Sequence, residues 1–357
     1  MKSADKPSVL PSGISYVSLA LIMVTMLFSC KKETAKNERS GPIKNIYLAG
    51  WRSYYPSNEV AVYWKNGVMT DLTDGSAYIT ANSIVASGSD VYVGGNQYNG
   101  HSIAVYWKNG VMATLSDPSK DSYVSSAAIS GSDVYFAGYE NDGNRNIAKY
   151  WKNGHGVNLT SGSYDARLLA IAISGNNVYA AGWESNGTVE VAKFWKNGTP
   201  LSLSDGSNNT EAGGIAVSGN DVYVLLTAYI QTDTCLMCAR AGAATPVSMI
   251  WKNGSIIETT GQNQAFSALA VSNQELYVAA GFGNAMGYFK DGVAVPFTSG
   301  PIEGQVSEIA IGGADVYVSG YENISGHNVP VCWKNGTPQL LTDGTNNAYA
   351  TGIYLGN

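Results

Sequence analysis

The stretch AISGSDVYFAGYENDGNRNIAKYWKNG, from Ala128 to Gly154, decides the fold because close copies of it recur along the chain. Its final tetrapeptide, Trp-Lys-Asn-Gly, appears six times, and Phe289 begins a degenerate seventh copy, Phe-Lys-Asp-Gly. Most copies stand about 44 residues apart. Internal repeats of this length are typical of solenoids, propellers and other repeat arrays, so they indicate an architecture before they indicate a function.

Each copy reads as four short β-strands. A small apolar first strand is followed by a polar turn and the Val-Tyr run of the second strand; a longer loop leads to the third strand, which ends in Lys-Asn-Gly. Asn-Gly between apolar runs is a strong hairpin signal because both residues accept the positive φ of a type I′ turn. The fourth strand is expected to carry a Leu-Thr or Leu-Ser pair, such as Leu72-Thr73. Four antiparallel strands in a repeat of this length match one propeller blade.

The number of blades follows from the second strands. The last piece of the chain, 352–357, aligns with a first strand, whereas the first repeat begins with a second strand at Asn45. The two termini should therefore complete one composite blade, which removes exposed sheet edges. The sequence predicts an all-β fold over 45–357, a seven-bladed β-propeller of four-stranded antiparallel blades. The second strands start at Ile46, Val91, Val134, Val178, Val222, Leu276 and Val316.

The N-terminal segment has the pattern of an export signal. An apolar stretch from about residue 16 to residue 28 follows a lysine-bearing start and is too short to span a bilayer, which takes about 20 residues. It ends in Leu-Phe-Ser-Cys at Cys30, which resembles the lipobox of bacterial lipoproteins. The resemblance implies a signal peptide over 1–29, cleavage before Cys30, lipidation of that cysteine, and a flexible tether over 30–44. The alternative is an ordinary secretory signal with an unmodified Cys30.

Composition and charge bear on partners and location. Charged residues make up 13% of the chain, about half the usual share, and the formal net charge is −6. Because no basic block exists, nucleic acid is not expected as a partner. By analogy with lipoproteins, the Lys31-Lys32-Glu33 run after Cys30 implies display at the outer membrane or cell surface. The membrane would then be contacted through the lipid anchor only.

The fifth repeat departs from the others. About 12 extra residues lie between Tyr223 and Trp251, and they contain Cys235 and Cys238. In an exported protein we expect these two cysteines to form a disulfide that staples the long loop. A redox or metal role has little support, since no second cysteine or histidine pair lies nearby in sequence. Cys332 replaces an aromatic residue of the third strand, and we expect a buried thiol there.

No catalytic signature stands out. The chain has no Gly-X-Ser-X-Gly elbow, zinc motif or phosphate-binding loop, so no catalytic residue, metal or cofactor is predicted. Carboxylates scattered over the loops leave a paired-carboxylate hydrolase open, but they also fit a solvated loop surface. These carboxylates are Glu140, Asp142, Glu184, Glu190 and Glu211.

Loop lengths distinguish the two faces of the predicted ring. Turns after the first and third strands are short and nearly constant, whereas loops after the second and fourth strands are longer and varied. Variable loops on a rigid scaffold commonly carry binding. Aromatic residues that directly follow a glycine mark the exit of the second strand, and they fit either packing between blades or a ring of stacking platforms for a ligand. They are Trp51, Tyr139, Trp183, Phe282 and Tyr321.

The short-turn face carries a second regularity. Each third strand ends in a lysine, and five of the second strands begin after an acidic residue. Because these strands are antiparallel neighbours, Lys108 should stand across from Asp90, and Lys152 from Asp133. A ring of unpaired lysines that attracts an anionic polymer is the alternative.

The repeat resembles bacterial β-propeller repeat families, and Ala61–Leu72, AVYWKNGVMTDL, is similar to the HAF-type extracellular repeat. This resemblance implies a fold and no shared activity. Three functions are therefore considered: a lipid-anchored binding module for a glycan or a protein on the variable-loop face, a carbohydrate-active hydrolase or lyase using loop carboxylates, and a structural scaffold of an envelope complex.

Overall fold

The computed structural model describes residues 45–54, 58–230, 245–260, 264–282, 285–297 and 303–356, all within the unit Ser40–Asn357. The described ranges contain strands and turns but no helix, so they hold no helical segment that could cross a membrane. The expected signal peptide, the lipidated Cys30 and the Cys235–Cys238 disulfide lie outside these ranges and remain predictions.

The described residues form 28 strands. In the first half of the chain they are β1 (Asn45–Tyr54), β2 (Asn58–Lys65), β3 (Val68–Asp71), β4 (Tyr78–Ser87), β5 (Asp90–Tyr98), β6 (Ser102–Lys108), β7 (Val111–Thr114), β8 (Ser122–Ser130), β9 (Asp133–Asn141), β10 (Asn146–Lys152), β11 (His155–Asn158), β12 (Ala166–Ser174), β13 (Asn177–Ser185), β14 (Glu190–Lys196) and β15 (Thr199–Ser202). In the second half they are β16 (Thr210–Ser218), β17 (Asp221–Ile230), β18 (Thr245–Lys252), β19 (Ser255–Thr259), β20 (Gln264–Ser272), β21 (Glu275–Phe282), β22 (Ala285–Lys290), β23 (Val293–Pro296), β24 (Gly304–Gly312), β25 (Asp315–Ile324), β26 (His327–Lys334), β27 (Thr337–Leu340) and β28 (Ala348–Gly356).

These strands pair into seven four-stranded antiparallel sheets, which confirms the predicted seven-bladed β-propeller. Six blades use four consecutive strands each, from β4–β7 (blade 2) to β24–β27 (blade 7). Blade 1 is composite, with the strand order β28-β1-β2-β3. Ile46 lies opposite Leu355, and Leu48 opposite Ile353, as the sequence predicts for the two ends of the chain. The ring is thus closed by backbone hydrogen bonds between its first and last strands.

The hydrophobic core is divided among the interfaces between neighbouring blades. Each of seven buried clusters joins the second and third strands of one blade to the first three strands of the next. The repeated tryptophan of the third strand lies in the interface with the preceding blade, as Trp64 does against blade 7, where its indole N–H donates to the carbonyl of Leu341 at 3.1 Å. Burial on both faces explains why the inner strands are apolar at consecutive positions.

A β-bulge in every first strand explains the glycine of the Val-Tyr repeat. The register of β12 against β13 shifts between Leu168 and Ala170, and the equivalent shift occurs in all seven blades. A Cβ atom at Gly182 would lie 2.0 Å from the carbonyl oxygen of Arg167, and one at Gly50 would lie 1.9 Å from that of Tyr349. No side chain fits so close an approach at these positions, whereas blades 5 and 6 form the bulge with Leu226 and Ala280 there.

The Lys-Asn-Gly turn has the predicted type I′ geometry and one function that the sequence did not reveal. Asn153 has φ 51° and Gly154 has φ 84°. The Asn153 side-chain oxygen accepts a hydrogen bond from the Val134 backbone N–H at 2.9 Å, and its amide group donates to Asp133 at 2.8 Å. The turn asparagine, or Asp291 in blade 6, accepts the same backbone bond in all seven blades. It therefore clamps the third strand to the start of the second.

The predicted lysine–carboxylate pairs are confirmed on the same face. The lysine lies opposite the tyrosine of the second strand, as Lys108 does opposite Tyr92, so that the acid two residues earlier is its diagonal neighbour. Each amine also lies over that tyrosine ring, at 5.3 Å for Lys108. The pairs are Lys108–Asp90 at 2.9 Å, Lys152–Asp133 at 2.7 Å, Lys252–Asp221 at 2.9 Å, Lys290–Glu275 at 2.9 Å and Lys334–Asp315 at 2.7 Å.

The expected position of the fourth strand needs a correction. β3 covers Val68–Asp71, and the Leu72-Thr73 pair lies beyond it. The pair serves the third strand instead, because the Leu72 N–H donates to the Ala61 carbonyl at 2.8 Å and the Thr73 hydroxyl accepts from the Ala61 N–H at 3.1 Å. The fourth strand is short and exposed, whereas the Leu-Thr pair extends the hydrogen bonding of the third.

We expect Asn153→Ala to lower the free energy of unfolding by about 1–3 kcal/mol, because alanine resists positive φ and both side-chain hydrogen bonds are lost. Urea denaturation followed by tryptophan fluorescence measures the change. Lys152→Ala is the matched control, since it removes an exposed ion pair beside the same turn and should alter the urea midpoint less. An equal loss in the two variants would contradict the clamping role of the asparagine.

Candidate functional site: the mouth of the variable face

The longer loops gather at one end of the blades, here called the variable face. In five blades the end of the second strand is tied there to the segment before the first strand of the same blade. Ser185 N–H donates to the Asp165 carbonyl at 2.8 Å, and Ser53 N–H donates to the Asn347 carbonyl at 2.8 Å, so the link recurs even in the composite blade. These bonds hold the inner rim of the face at fixed positions.

Side chains at this rim form what we call the aromatic arc. Within a blade, a residue of the second strand lies beside the first-strand residue opposite it, as Trp51 does beside Tyr349 and Trp183 beside Arg167. In two places the first-strand residue also reaches the second strand of the preceding blade, Tyr349 to Tyr321 and Arg167 to Tyr139, so the arc consists of two groups of contacts on either side of blade 2. The arc consists of Trp51, Tyr123, Tyr139, Arg167, Trp183, Tyr321 and Tyr349.

One end of the arc joins blades 7 and 1. Tyr349 stacks on Trp51 with ring centroids 4.1 Å apart and planes at 27°. Its ring meets that of Tyr321 edge to face, with centroids 4.9 Å apart. Both geometries are favourable for aromatic pairs. Trp51 and Tyr321 are only half-buried, so each keeps part of its ring surface accessible at the mouth.

The other end of the arc joins blades 3 and 4 through a guanidinium group. Arg167 lies 4.5 Å from the ring centroid of Tyr139 and 5.5 Å from that of Trp183, and Tyr139 stacks on Tyr123. The Arg167 Nε atom is buried and has no hydrogen-bond partner within the described ranges. The two rings therefore hold the cation in place by cation–π attraction rather than by an ion pair.

The aromatic residues predicted from the sequence do not all join this arrangement. Trp51, Tyr139 and Tyr321 are half-buried members of the arc, whereas Trp183 is 7% exposed and serves mainly as core. Phe282 lies one position further along its strand, because Ala280 and Gly281 occupy the positions that glycine and the aromatic residue take elsewhere. Its ring packs on Phe289, with centroids 4.9 Å apart, away from the arc.

Three of the five loop carboxylates are held by lysine ion pairs or by backbone N–H groups. Glu140 pairs with Lys149 at 2.7 Å, Glu184 pairs with Lys193 at 2.5 Å, and Asp142 accepts backbone N–H groups of its own loop. Such pairing satisfies the charge and leaves these groups poorly placed for catalysis.

Glu190 and Glu211 remain as an interacting pair next to the arc. Burial raises the pKa of Glu190, the negative charge of Glu211 raises it further, and Arg167 opposes both effects. The Tyr229 hydroxyl donates to Glu211 at 3.1 Å. Two neighbouring carboxylates, a guanidinium and aromatic rings can together bind a polar ligand, and they keep the hydrolase alternative open.

A central channel lies within the ring of first strands. It contains a cavity of about 440 Å³ lined by residues from all seven blades. Bulge residues of several blades donate to backbone carbonyls of the next blade: Asn82 to Val124 at 2.8 Å, Ser125 to Leu168 at 3.0 Å, and Thr351 to Ala81 at 2.8 Å. The polar lining thus also holds neighbouring blades together.

Glu308 is the one acidic residue among the described residues that line this channel, and it is not among the site residues predicted from the sequence. Its Oε2 atom accepts a hydrogen bond from the Ile353 N–H of the C-terminal strand at 2.7 Å. The side chain keeps partial contact with solvent through the channel but is surrounded by protein, and this burial raises the pKa of Glu308 to about 7. An alignment of the seven first strands would have revealed Glu308, since the other six carry a small residue at this position.

No metal centre is visible among the described residues, which contain no cluster of three or more histidine, cysteine or acidic side chains. Cys332 is free and buried, as expected, and burial raises the pKa of its thiol to about 11.

Comparison with known proteins supports the fold alone. No protein-family model matches this chain, and no curated protein matches it. The β-propeller domain of the Trilobed protease from Pyrococcus furiosus, described as having an open velcro topology, is 9% identical with a TM-score of 0.51, covering 85% of this chain and 97% of that one. A post-proline cleaving enzyme from Rickettsia typhi is 8% identical, with a TM-score of 0.45 and coverage of 87% and 54%. TolB from Acinetobacter baumannii is 8% identical, with a TM-score of 0.42 and coverage of 72% and 64%.

The raised pKa of Glu308 predicts a pH-dependent stability. Between about pH 4.5 and about pH 7 the folded protein keeps a proton on Glu308 that the unfolded chain releases, so its free energy of unfolding falls as pH rises through this window. Glu308→Gln lacks this group. As pH rises through the window, we expect the free energy of unfolding of the variant to increase by up to about 3 kcal/mol relative to that of the natural protein.

Denaturant titrations of both proteins at several pH values measure this difference. Glu275→Gln is the control, because hydrogen bonds from Tyr277 and Lys290 lower the pKa of Glu275 and it titrates below the window. That variant should show no change of relative stability above about pH 4.5. If the free energy of unfolding of Glu308→Gln also keeps a constant difference from that of the natural protein across the window, the raised pKa of Glu308 is refuted.

Proposed function

We propose that the mature chain is a binding module, anchored by a lipid at Cys30 on the outer membrane or cell surface, whose ligand is a glycan or a protein. The observation that supports this proposal is the aromatic arc, which places half-buried rings and a held guanidinium around one end of a channel. Rigid aromatic rings with adjacent polar groups are the usual composition of recognition surfaces. The variable loops surround the same opening.

The opposite face offers little for an anionic polymer. Five of its lysines are paired with carboxylates at 2.7–2.9 Å, so most of the positive charge on that face is compensated locally. A scaffold role would need a large contact surface, and the arc is the described surface that best fits a specific contact.

The carbohydrate-active alternative rests on Glu190 and Glu211. The negative charge of Glu211 raises the pKa of Glu190, so the two carboxyl groups are close enough to interact, and both lie on the side of the ring that carries the arc. A hydrolase would use one as an acid and the other as a base or nucleophile. Release of reducing sugar from a bound glycan, lost in Glu190→Gln, would identify this activity.

The binding surface is tested with the double variant Trp51→Ala, Tyr321→Ala. We expect binding of a ligand found by glycan-array or envelope-protein screening to weaken about ten-fold or more, since exposed aromatic anchors contribute most to such contacts. Tyr92→Ala is the matched control, because Tyr92 is a half-buried tyrosine on the short-turn face. Equal weakening by the control, or a melting temperature that falls without a specific binding defect, would return these residues to a packing role.

The anchor is tested with Cys30→Ala. We expect the natural protein to sediment with membranes and to incorporate labelled palmitate, and the variant to lose both properties. Cys332→Ala is the control, because Cys332 is buried in the propeller and should leave both unchanged. Membrane association of Cys30→Ala without label would contradict lipidation.

A further inference from the structure

Glu308 is out of place in the ring of first strands. It directly follows the bulge of blade 7, and the equivalent position of every other blade holds a small residue. Those residues are Ser83, Ser126, Ala170, Gly214, Ala268 and Gly352. One carboxylate therefore enters a cavity that the other six blades keep clear.

The carboxylate has no cation beside it. Among the described residues that line the cavity there is no lysine, arginine or histidine, and Tyr354 is the one other titratable group. One oxygen of Glu308 is bonded to the Ile353 N–H, whereas Oε1 has no hydrogen-bond partner among the described residues. A half-buried carboxylate without a cation beside it is costly for a fold to maintain, and glutamine could accept the same backbone hydrogen bond without the charge.

The neighbouring strand leaves room for this group. Gly352 faces Glu308, and a Cβ atom there would already lie 3.4 Å from Oε2. That distance is ordinary van der Waals contact, and the same Cβ atom would lie closer to the Asn82 carbonyl oxygen, at 3.2 Å, so blade 2 also limits the residue at this position. The pair Glu308 and Gly352 thus fixes an acidic group at the wall of the channel.

We propose that Glu308 binds an alkylammonium group, as carried by a lysine side chain of a protein ligand, inside the central channel. The inference rests on the proposed binding function and narrows its ligand class from glycan or protein to protein. An ammonium group needs one anionic and two neutral oxygen acceptors, and Ser307 and Ser267 line the same cavity.

The rest of the lining favours a lysine over a sugar or a divalent metal. Ile129, Ile171 and Leu269 present aliphatic surface, which suits the methylene stem of lysine, and a neutral sugar would leave the charge of the carboxylate uncompensated. A calcium ion takes six to eight oxygen ligands, several of them carboxylates, and one acid is present among the described lining residues.

The depth of the site matches a lysine from a ligand seated on the arc. Gln305, which lies opposite Tyr321 at the mouth, precedes Glu308 by three residues of the same strand. Because the bulge takes up one of these residues, Glu308 lies two paired positions inside the mouth, which is roughly 7 Å at about 3.3 Å per residue. A side chain with a four-carbon stem can cover most of this distance while its backbone contacts the rim.

The test uses Nα-acetyl-lysine methylamide as probe and the neutral norleucine analogue as its isostere, titrated into the mature protein and followed by NMR. We expect the lysine probe to bind at least ten-fold more tightly than the isostere, and Glu308→Gln to remove this preference. Ser126→Ala, at the equivalent position of blade 3, should keep it. Melting curves near pH 5 confirm that both variants are folded.

The pH profile adds a readout that a structural role would not move. Because burial raises the pKa of Glu308 to about 7, the affinity for the lysine probe should rise as pH increases from about 6 to about 8, and Glu308→Gln should show no such rise. Tyr354 does not titrate in this range, because burial raises its pKa from 10.0.

Three outcomes would overturn the inference: equal binding of lysine probe and isostere, tighter binding of glucosamine, or displacement of the probe by calcium. Failure of the arc as a binding surface can be told apart from failure of the channel site. The double variant at Trp51 and Tyr321 should lose the ligand found by screening, while the small lysine probe still binds. Probe binding without any ligand at the mouth would leave the channel site standing and refute the arc.

Discussion

The close approach of two backbones inside five of the seven blades shapes the inner rim of the ring. The first strand bulges so that the carbonyl of its rim residue presses against the second strand, where Gly182 and Gly50 leave no side chain in the way. The carbonyls concerned belong to Arg167 and Tyr349, which are themselves members of the aromatic arc. The glycine that the repeat displays so regularly therefore fixes the residues at the mouth. Glycine is not sufficient for an aromatic rim: blade 2 carries Gly95 with Thr80 opposite Asn96, and blades 5 and 6, with Leu226 and Ala280 at this position, also lack aromatic pairs.

The sequence predicted features that repeat and missed those that occur once or that need three dimensions. Seven second strands and an orphan first strand predicted the blade count and the closure, because strand pairing in a ring leaves no freedom once the copies are counted. The bulge was not predictable, since it depends on the spacing of two strands rather than on a residue type. Asn153 was read as a turn residue, although its side-chain clamp on Val134 was within reach of an argument from repetition.

Glu308 shows the converse limit. Its position among small residues could have been found by aligning the first strands, but its burial and its missing counter-ion appear only when the strands converge on the channel. The candidate aromatic residues show the same: Phe282 follows a glycine as the others do, yet a shift of one residue turns it towards Phe289. In a strand, one residue of offset exchanges the two faces. The shared glycine–aromatic pattern therefore predicted a more regular ring of aromatic residues at the mouth than the structure has.

Closure by the chain termini also decides how the domain would be presented to its surroundings. β1 starts at Asn45, beside the Asn66 turn, so the N-terminal end of the propeller emerges on the face of short turns. In the proposed lipid-anchored form, the tether would draw that face towards the bilayer and turn the variable loops outwards. A pulling force on the tether would act along β1 and load its hydrogen bonds in shear. This strand is hydrogen-bonded to β28 on one side and to β2 on the other. A strand held on both edges resists extraction better than a terminal edge strand would.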